Sequence, residues 1–203
     1  MTEQPLTAGL RALSQIDCGG DEAKQLIVSK CWALLTGYDV RWIKEAYQPV
    51  SVEETVVLPL VNPDTSALSR SFQMAGKIDV IANCGNGERV IIDHKTTSQS
   101  IDDPNAPFWR QLVVEGQVSH YLLLDKLNGN DPSHAVWDVM RKPSIAPKQL
   151  TKAVRADIVA NRTYFGNEVS DKTITALQTI EKENSELYCY RLIHDCTKER
   201  PDW

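Results

Sequence analysis

Long apolar runs are missing from this sequence of 203 residues. No stretch reaches the roughly 18 apolar residues that a membrane-spanning helix needs, so we expect no membrane partner. The first residues, MTEQPLTAGLRALSQ, lack a basic run followed by an apolar core, and a secretory signal peptide is not expected there. The composition, 42% hydrophobic and 24% charged, is typical of a soluble globular protein. The length fits one domain better than two.

Closely spaced cysteines are also missing. The five cysteines are scattered along the chain: Cys18, Cys31, Cys84, Cys189 and Cys196. They form no zinc-binding motif. Without an export signal, free thiols in the cytoplasm are the expected state.

The sequence also lacks a surplus of basic residues. The chain has 22 Lys and Arg against 27 Asp and Glu, for a net charge of −5. Most DNA-binding proteins carry a basic surplus. A nuclease can do without one, because its clustered carboxylates hold a metal ion that supplies the positive charge. The charge balance therefore does not decide whether the partner is a nucleic acid.

The sequence does contain a clear pattern of helices and strands. Apolar spacing predicts helices at residues 21–47, 108–127, 149–164 and 174–183. Runs of β-branched residues predict strands at residues 50–60, 71–82, 89–96, 135–141 and 187–193. Short turns join the first three strands, so we expect an antiparallel meander. The order of elements predicts an α/β fold with a mixed sheet flanked by helices.

Three charged residues stand at the middle of this meander. Asp79 lies in the second predicted strand, and Asp93 and Lys95 lie in the third. Side chains alternate along a strand, so Asp93 and Lys95 point the same way. Two carboxylates on adjacent strands can share a divalent cation such as Mg²⁺, and the lysine can orient water or neutralise charge. The alternative is a surface salt bridge between Asp93 and Lys95 at the end of an edge strand.

Three further polar residues are candidates for the same site. Gln117 and Tyr121 are four residues apart and share a helix face, where they can hydrogen-bond DNA or brace the metal ligands. Ordinary surface positions are the alternative. Glu53 lies on the first strand and can complete the acidic cluster, or it can be a solvated strand residue.

The segments GKIDVIA and RVIIDHKTT, separated by a short turn, resemble the PD-(D/E)XK nuclease superfamily, and in particular its RecB-like exonuclease branch. That branch has a Gly-x-x-Asp strand, then a hydrophobic strand ending in Asp-x-Lys-Thr. Its positions are filled here by Gly76, Asp79, Asp93, Lys95 and Thr96. The segment QVSHY matches its Gln-x-x-x-Tyr helix motif. Together with VEETVVLPLVNP and DVMRKP, these motifs look like phage and prophage members, over about residues 40 to 145.

The resemblance implies a role for each matching residue. Asp79 and Asp93 correspond to metal-binding acidic residues, and Lys95 corresponds to the catalytic lysine. At His94 the family uses the backbone carbonyl as a metal ligand, so its side chain need not bind metal. The glutamine and tyrosine of the helix motif lie beside the active site in that family.

The implied protein has a restriction-endonuclease-like fold and is a Mg²⁺- or Mn²⁺-dependent DNA nuclease. The resemblance favours an exonuclease that acts in recombination, repair or phage DNA processing, in the cytoplasm of a bacterium or phage-infected host. Its expected partners are DNA and a recombinase, a helicase or a single-strand annealing protein. The alternative is a nuclease fold retained only for binding DNA or protein. Such a copy is expected to lose the acidic–lysine set, which this chain keeps.

Two features of the RecB-like branch are not matched. Many members hold an iron–sulfur cluster with four cysteines, and they carry a histidine on an early helix. No histidine precedes His94 here, and only Cys189 and Cys196 lie late in the chain. Because such clusters generally need four thiolates, an iron–sulfur cluster is not expected. The chain is therefore interpreted as a single nuclease-like domain, residues 1–203, that lacks terminal segments of the family.

Overall fold

The computed structural model describes residues 5–42 and 47–199. The chain divides into two compact units: one combines Met1–Lys44 with Lys142–Trp203, and the other is Glu45–Arg141. The interpretation as a single domain stays a prediction. All of the candidate site residues lie in the unit of residues 45–141.

The helices and strands of the described residues have the following bounds. The α-helices are α1 (Pro5–Ser14), α2 (Glu22–Trp42), α3 (Pro107–Val114), α4 (Gln117–Leu127), α5 (Lys152–Asn161), α6 (Asp171–Ala176) and α7 (Ser185–His194). A short π-helical segment, Asp195–Glu199, follows α7. The strands are β1 (Gln48–Val61), β2 (Leu68–Asn83), β3 (Arg89–Thr97), β4 (Pro132–Arg141), β5 (Thr163–Tyr164) and β6 (Asn167–Glu168).

The sheet of the second unit has the strand order β1-β2-β3-β4. β1, β2 and β3 are antiparallel neighbours, which confirms the predicted meander. β4 pairs with β3 in parallel, after the two helices α3 and α4. The sheet is therefore mixed, and the predicted α/β class with flanking helices is confirmed.

The core of this unit explains why β3 runs through the centre of the sheet. Val90, Ile91 and Ile92 are all buried, so apolar side chains cover both faces of the strand. Ile91 packs in a cluster with Tyr121 and Leu124 of α4. Val90 and Ile92 pack in a second cluster. A strand buried on both faces is held firmly in position, and this strand ends in Asp93 and Lys95.

The close packing of α4 on β2 depends on Gly76. A Cβ atom added at Gly76 would lie 2.6 Å from Leu124 Cδ1 and 3.1 Å from Tyr121 Cε1. Leu124 is fully buried and Tyr121 is 8% exposed, so neither side chain can move aside easily. Gly76 thus lets α4 approach the sheet closely, and α4 carries Gln117 and Tyr121.

We predict that Gly76→Ala destabilises the protein by about 1 to 3 kcal/mol, the usual range for overpacking a filled core. It should also reduce DNA cleavage, because displacing Tyr121 disturbs its contact with Gln117. Urea denaturation and a cleavage assay measure the two effects. The control for stability is Gly116→Ala, since a Cβ there meets nothing within 4 Å. Equal stability of both variants would contradict this account of the α4 packing.

The other unit has two apolar clusters. One joins Ala33 of α2 to Tyr188, Leu192 and Cys196. α2 continues through Gly37, and an added Cβ there would lie 2.9 Å from Cys196 Cβ. The other cluster gathers residues of the C-terminal segment: Leu150, Ile158, Tyr164, Val169, Leu177 and Leu187.

The predicted strand at residues 187–193 is wrong, because this segment is helix α7. Its aromatic and β-branched residues favour a strand locally. In the structure Leu187, Tyr188, Arg191 and Leu192 are all buried, and their spacing is that of one helix face. Asn184 caps the helix by accepting a hydrogen bond from the Leu187 N–H at 3.0 Å. Tertiary packing and the cap therefore outweigh the local preference.

Other boundaries differ from those predicted. The expected helix at 108–127 is two helices, because the chain is extended at Glu115. The expected helices at 149–164 and 174–183 are shorter, at Lys152–Asn161 and Asp171–Ala176. Thr151 and Ser170 cap them, which fixes where they begin. The predicted helix at 21–47 is described from Glu22 to Trp42, and residues 43–46 lie outside the described part.

Within the described residues, no helix is both long enough and apolar enough to cross a membrane.

Candidate active site

The candidate site lies where β2 and β3 stop pairing. The ladder between them runs from Asn83↔Arg89 to Val80↔Ile92, and Asp79 and Asp93 are the next residues on each strand. Beyond that point the Asp79 side chain replaces the backbone ladder, since its Oδ2 accepts a hydrogen bond from the His94 N–H at 2.9 Å. The two carboxylates predicted to be neighbours thus stand at the same end of the β2–β3 ladder.

Asp93 is a deeply buried charged residue of the candidate site. It is 1% exposed. In the part of the chain that the structure describes, neither of its carboxylate oxygens has a hydrogen-bond partner of good geometry. The Lys95 ammonium lies 2.8 Å from Oδ2, so the carboxylate is ion-paired but not fully hydrogen-bonded, and a charge buried in this way carries a desolvation cost. Positions with such a cost are typical of sites that bind a cation or substrate.

Lys95 lies between Asp93 and the helix α4. Its Nζ is 2.8 Å from Asp93 Oδ2 and donates a hydrogen bond of 2.6 Å to Gln117 Oε1. Burial acts to lower the pKa of Lys95, but the contact with the Asp93 carboxylate and the charges of Glu115 and Asp79 outweigh it. The pKa of Lys95 is therefore raised, and the side chain is an ammonium at neutral pH. The salt bridge named as the alternative interpretation is therefore present, but Asp93 is buried and β3 is an inner strand of the sheet.

Gln117 and Tyr121 extend this chain of contacts along α4. The Gln117 Nε2 donates to the Tyr121 hydroxyl oxygen at 2.8 Å, while the Gln117 Oε1 faces Lys95. Tyr121 is buried in the apolar cluster of the sheet. The amide of Gln117 is therefore fixed at both ends, and it sets the position of the lysine ammonium. The structure brings both residues to the site, and they are not freely solvated surface positions.

His94 contributes to the site through its backbone. Its N–H binds Asp79, and its imidazole Nδ1 lies 3.0 Å from Asp138 Oδ2 on β4. This hydrogen bond to Asp138 raises the pKa of His94, although burial partly opposes it. The imidazole is thus engaged with β4. The role of its backbone carbonyl as a metal ligand stays a prediction.

Glu53 does not join the cluster of contacts around Lys95. It forms an ion pair with Lys77 of β2, and the two side chains are 57% and 61% exposed. Its backbone has a positive φ of 56°, and the β1–β2 ladder skips this position. A local irregularity of β1 therefore turns Glu53 toward Lys77. Its predicted role at the metal site stays a prediction.

The sequence interpretation missed Glu115, which precedes Gly116 at the junction of α3 and α4. Its charge acts on Lys95, and its Oε2 is buried without a hydrogen-bond partner among residues 5–42 and 47–199. The sequence predicted a single helix at 108–127 and assigned no role to Glu115. The pair Glu115-Gly116, two residues before Gln117, was the available signal of a break.

The residues at this end of the β2–β3 ladder are suited to hold a divalent cation. Asp93 offers a buried carboxylate that is ion-paired with Lys95 but makes no hydrogen bond of good geometry among the described residues, and Asp79 offers a carboxylate on the adjacent strand. No three His, Cys, Asp or Glu side chains of the described ranges are grouped closely enough to hold a metal between them. Mg²⁺ does not need three, since it typically takes one or two carboxylates and keeps several waters.

We predict that Gln117→Ala reduces DNA cleavage by about 10-fold and that Tyr121→Phe has a smaller effect, because these residues position Lys95 without touching the reacting atoms. The change should appear in the maximal rate and leave DNA affinity nearly unchanged. Steady-state kinetics with a labelled duplex separates the two quantities. The matched control is Gln73→Ala, an exposed position on β2. Wild-type rates in both site variants would contradict a positioning role.

A comparison with known proteins identifies a family that matches this sequence. A sequence model of the PD-(D/E)XK nuclease superfamily matches residues 18–197. No curated protein matches the sequence. Among solved structures, the crystal structure of SSO0001 is similar at 14% identity, with 96% of this chain and 77% of that chain covered and a TM-score of 0.31. A likeness of that size supports no argument about fold or function.

Proposed function

Because the chain belongs to the PD-(D/E)XK nuclease superfamily, we propose that it is a Mg²⁺- or Mn²⁺-dependent deoxyribonuclease that hydrolyses phosphodiester bonds. The restriction-endonuclease-like fold expected from the sequence agrees with this membership. The observation that carries the proposal is the buried Asp93 carboxylate, which has no hydrogen-bond partner of good geometry in the described chain and lies beside an ammonium held by Gln117.

Asp79, Asp93 and the backbone carbonyl of His94 are the groups that would hold the cation. When bound, a divalent cation lowers the pKa of water and neutralises charge on a phosphate. The protein contributes rigidity, since β3 is buried on both faces and the Asp79 carboxylate is fixed by the His94 N–H. Ligands held in place before the substrate arrives need little reorganisation during the reaction.

Lys95 acts in this proposal as a hydrogen-bond donor and positive charge. Its raised pKa keeps it protonated at neutral pH, and an ammonium cannot accept a further proton. Of its three N–H groups, two face Asp93 and Gln117. The third is available to donate to a phosphate oxygen that gains charge during hydrolysis. The lysine therefore stabilises the transition state and is not the general base.

The finer assignment is to the RecB-like branch, as a phage or prophage type. It is supported by Gln117 and Tyr121, which match the helix motif: Gln117 accepts a hydrogen bond from Lys95, and Tyr121 accepts one from Gln117. We infer an exonuclease that acts on DNA in recombination or repair, in the cytoplasm of a bacterium or phage-infected host. A recombinase, a helicase or a single-strand annealing protein would bring it to its DNA.

The test is degradation of DNA with and without ends. Purified protein is incubated with linear and covalently closed circular forms of one plasmid, in Mg²⁺, Mn²⁺ or EDTA. We expect shortening of the linear form only, and only with a divalent cation. Cleavage of the covalently closed circle would show an endonuclease and would contradict the assignment as an exonuclease. DNA binding without any cleavage would contradict the enzyme and favour a binding module.

A further inference from the structure

Glu115 is the unexplained residue of the site. It stands at the junction between α3 and α4, where the backbone is extended (φ −65°, ψ 125°). Its N–H closes α3 by donating to the carbonyl oxygens of Gln111 and Leu112. Any residue except proline can make those backbone bonds, so they do not account for a carboxylate at this position.

The Glu115 carboxylate is close enough to the candidate catalytic residues for its charge to act on Lys95. Two residues further on, Gln117 accepts the hydrogen bond of Lys95 at 2.6 Å. The Glu115 Oε2 is inaccessible to solvent and lacks a hydrogen-bond partner in the described part of the chain. Leaving such an oxygen unpaired costs about 1 to 3 kcal/mol, more when it is charged, so a partner other than the described residues is expected.

The charges around Lys95 are out of balance. Three carboxylates, those of Asp93, Glu115 and Asp79, act on this one ammonium. With all three ionised, the cluster carries two negative charges in excess, which one divalent cation neutralises. Asp93 is 1% exposed and is paired with the Lys95 ammonium, yet it makes no hydrogen bond of good geometry in the described chain, and this second buried carboxylate also points to a cation.

We propose that Glu115 belongs to the divalent-cation site and that its free oxygen accepts hydrogen bonds from the water molecules kept by the cation. This proposal adds a residue to the site of the proposed function and rests on that function. Among the described residues, Asp79, Asp93 and Glu115 do not form a group of three that could share an ion, so with Asp79 and Asp93 as the ligands the proposal places Glu115 beside the water molecules of the ion. Mg²⁺ keeps several of its waters in proteins, and carboxylates that bind them orient the site and raise affinity.

The test is Mn²⁺ binding to the whole metal-free chain, measured by the electron paramagnetic resonance signal of free Mn²⁺. Glu115→Gln keeps the size of the side chain and removes its charge. We expect it to raise the dissociation constant about 10-fold, the lower end of the effect for residues that support metal ligands. The matched control is Glu88→Gln, an exposed glutamate in the β2–β3 turn, which should leave the constant unchanged.

A second measurement separates this role from a structural one. In metal-free protein, Glu115→Gln removes repulsion between carboxylates, so its melting temperature should equal or exceed that of the wild type. A lower melting temperature would mean that Glu115 supports the fold, and would overturn the proposal. Unchanged Mn²⁺ affinity in Glu115→Gln would overturn it as well.

Asp93→Asn distinguishes failure of this inference from failure of the proposed function. If Asp93→Asn weakens Mn²⁺ binding and Glu115→Gln does not, the metal site stands and Glu115 is outside it. If Asp93→Asn also binds Mn²⁺ like the wild type, the metal site itself is wrong, and the proposed function fails with it.

Discussion

Replacing Asp93 by asparagine should reduce DNA cleavage by about 100-fold or more while the chain stays folded. The substitution keeps the size of a side chain that is 1% exposed, so packing is preserved. It removes the charge that would hold the cation and that faces the Lys95 ammonium at 2.8 Å. Losing one preorganised electrostatic group at an active site typically costs about 100- to 1,000-fold in rate.

The measurement for Asp93→Asn is the single-turnover rate on a linear duplex in saturating Mg²⁺. Circular dichroism and thermal melting report on the fold. Asp64→Asn is the control, because Asp64 is exposed in the β1–β2 turn and the two variants change the net charge equally. A cleavage rate near the wild-type value in Asp93→Asn would remove this residue from the active site.

Lys95→Ala should abolish cleavage to a similar degree, for a different reason. The ammonium is a donor to phosphate in the proposed mechanism and not a metal ligand, so the variant should lose rate and keep its affinity for Mn²⁺. Removing the positive charge beside Asp93 should even favour cation binding, since opposite charges attract and like charges repel at this range. The combination of lost turnover and retained metal binding is specific to this role.

The experiment for Lys95→Ala pairs Mn²⁺ titration with the cleavage rate. Lys126→Ala is the control, because Lys126 is an exposed lysine on α4 and the two substitutions are chemically identical. If Lys95→Ala cleaves DNA at the rate of Lys126→Ala, the lysine has no part in the chemistry. If it loses Mn²⁺ binding together with activity, its role is to maintain the site, and the proposed mechanism is wrong.

The local arrangement of the site could be predicted from the sequence because it depends on strand geometry. The alternation of side chains puts Asp93 and Lys95 on one side of β3, and a short turn brings Asp79 onto the adjacent strand. Helical spacing puts Gln117 and Tyr121 on one face of α4. These are short-range rules, and the structure shows the expected neighbours.

The rest depends on contacts that local patterns do not contain. The helix α7 forms where a strand was expected, because its buried face packs against other parts of the chain. The break at Glu115 turns a residue of an apparently continuous helix toward Lys95. The positive φ of Glu53 takes that side chain to Lys77. In each of these three cases the structure is decided by tertiary packing or by one unusual backbone conformation. Residue propensities are averages over many proteins, so they contain no information about either.

The role of Gly76 could be predicted from the sequence only in part. The sequence marks it as part of a motif, but its physical reason is visible only in the packing of α4. A Cβ there would lie 2.6 Å from Leu124 Cδ1, so the glycine is needed for the helix to reach the sheet. The position of Gln117 over Lys95 therefore depends on a residue of β2 that has no side chain.

The central claim is that a divalent cation at Asp79 and Asp93 makes this chain cleave DNA. The most direct test follows an end-labelled linear duplex with metal-free protein, then adds EDTA or a stepwise excess of Mg²⁺, for the wild type and for Asp93→Asn side by side. We predict no product in EDTA, product that increases with Mg²⁺ for the wild type, and product formed about 100-fold more slowly, or slower still, by the variant. Product formed by the wild type in EDTA, or equal product from both proteins in Mg²⁺, would contradict the claim.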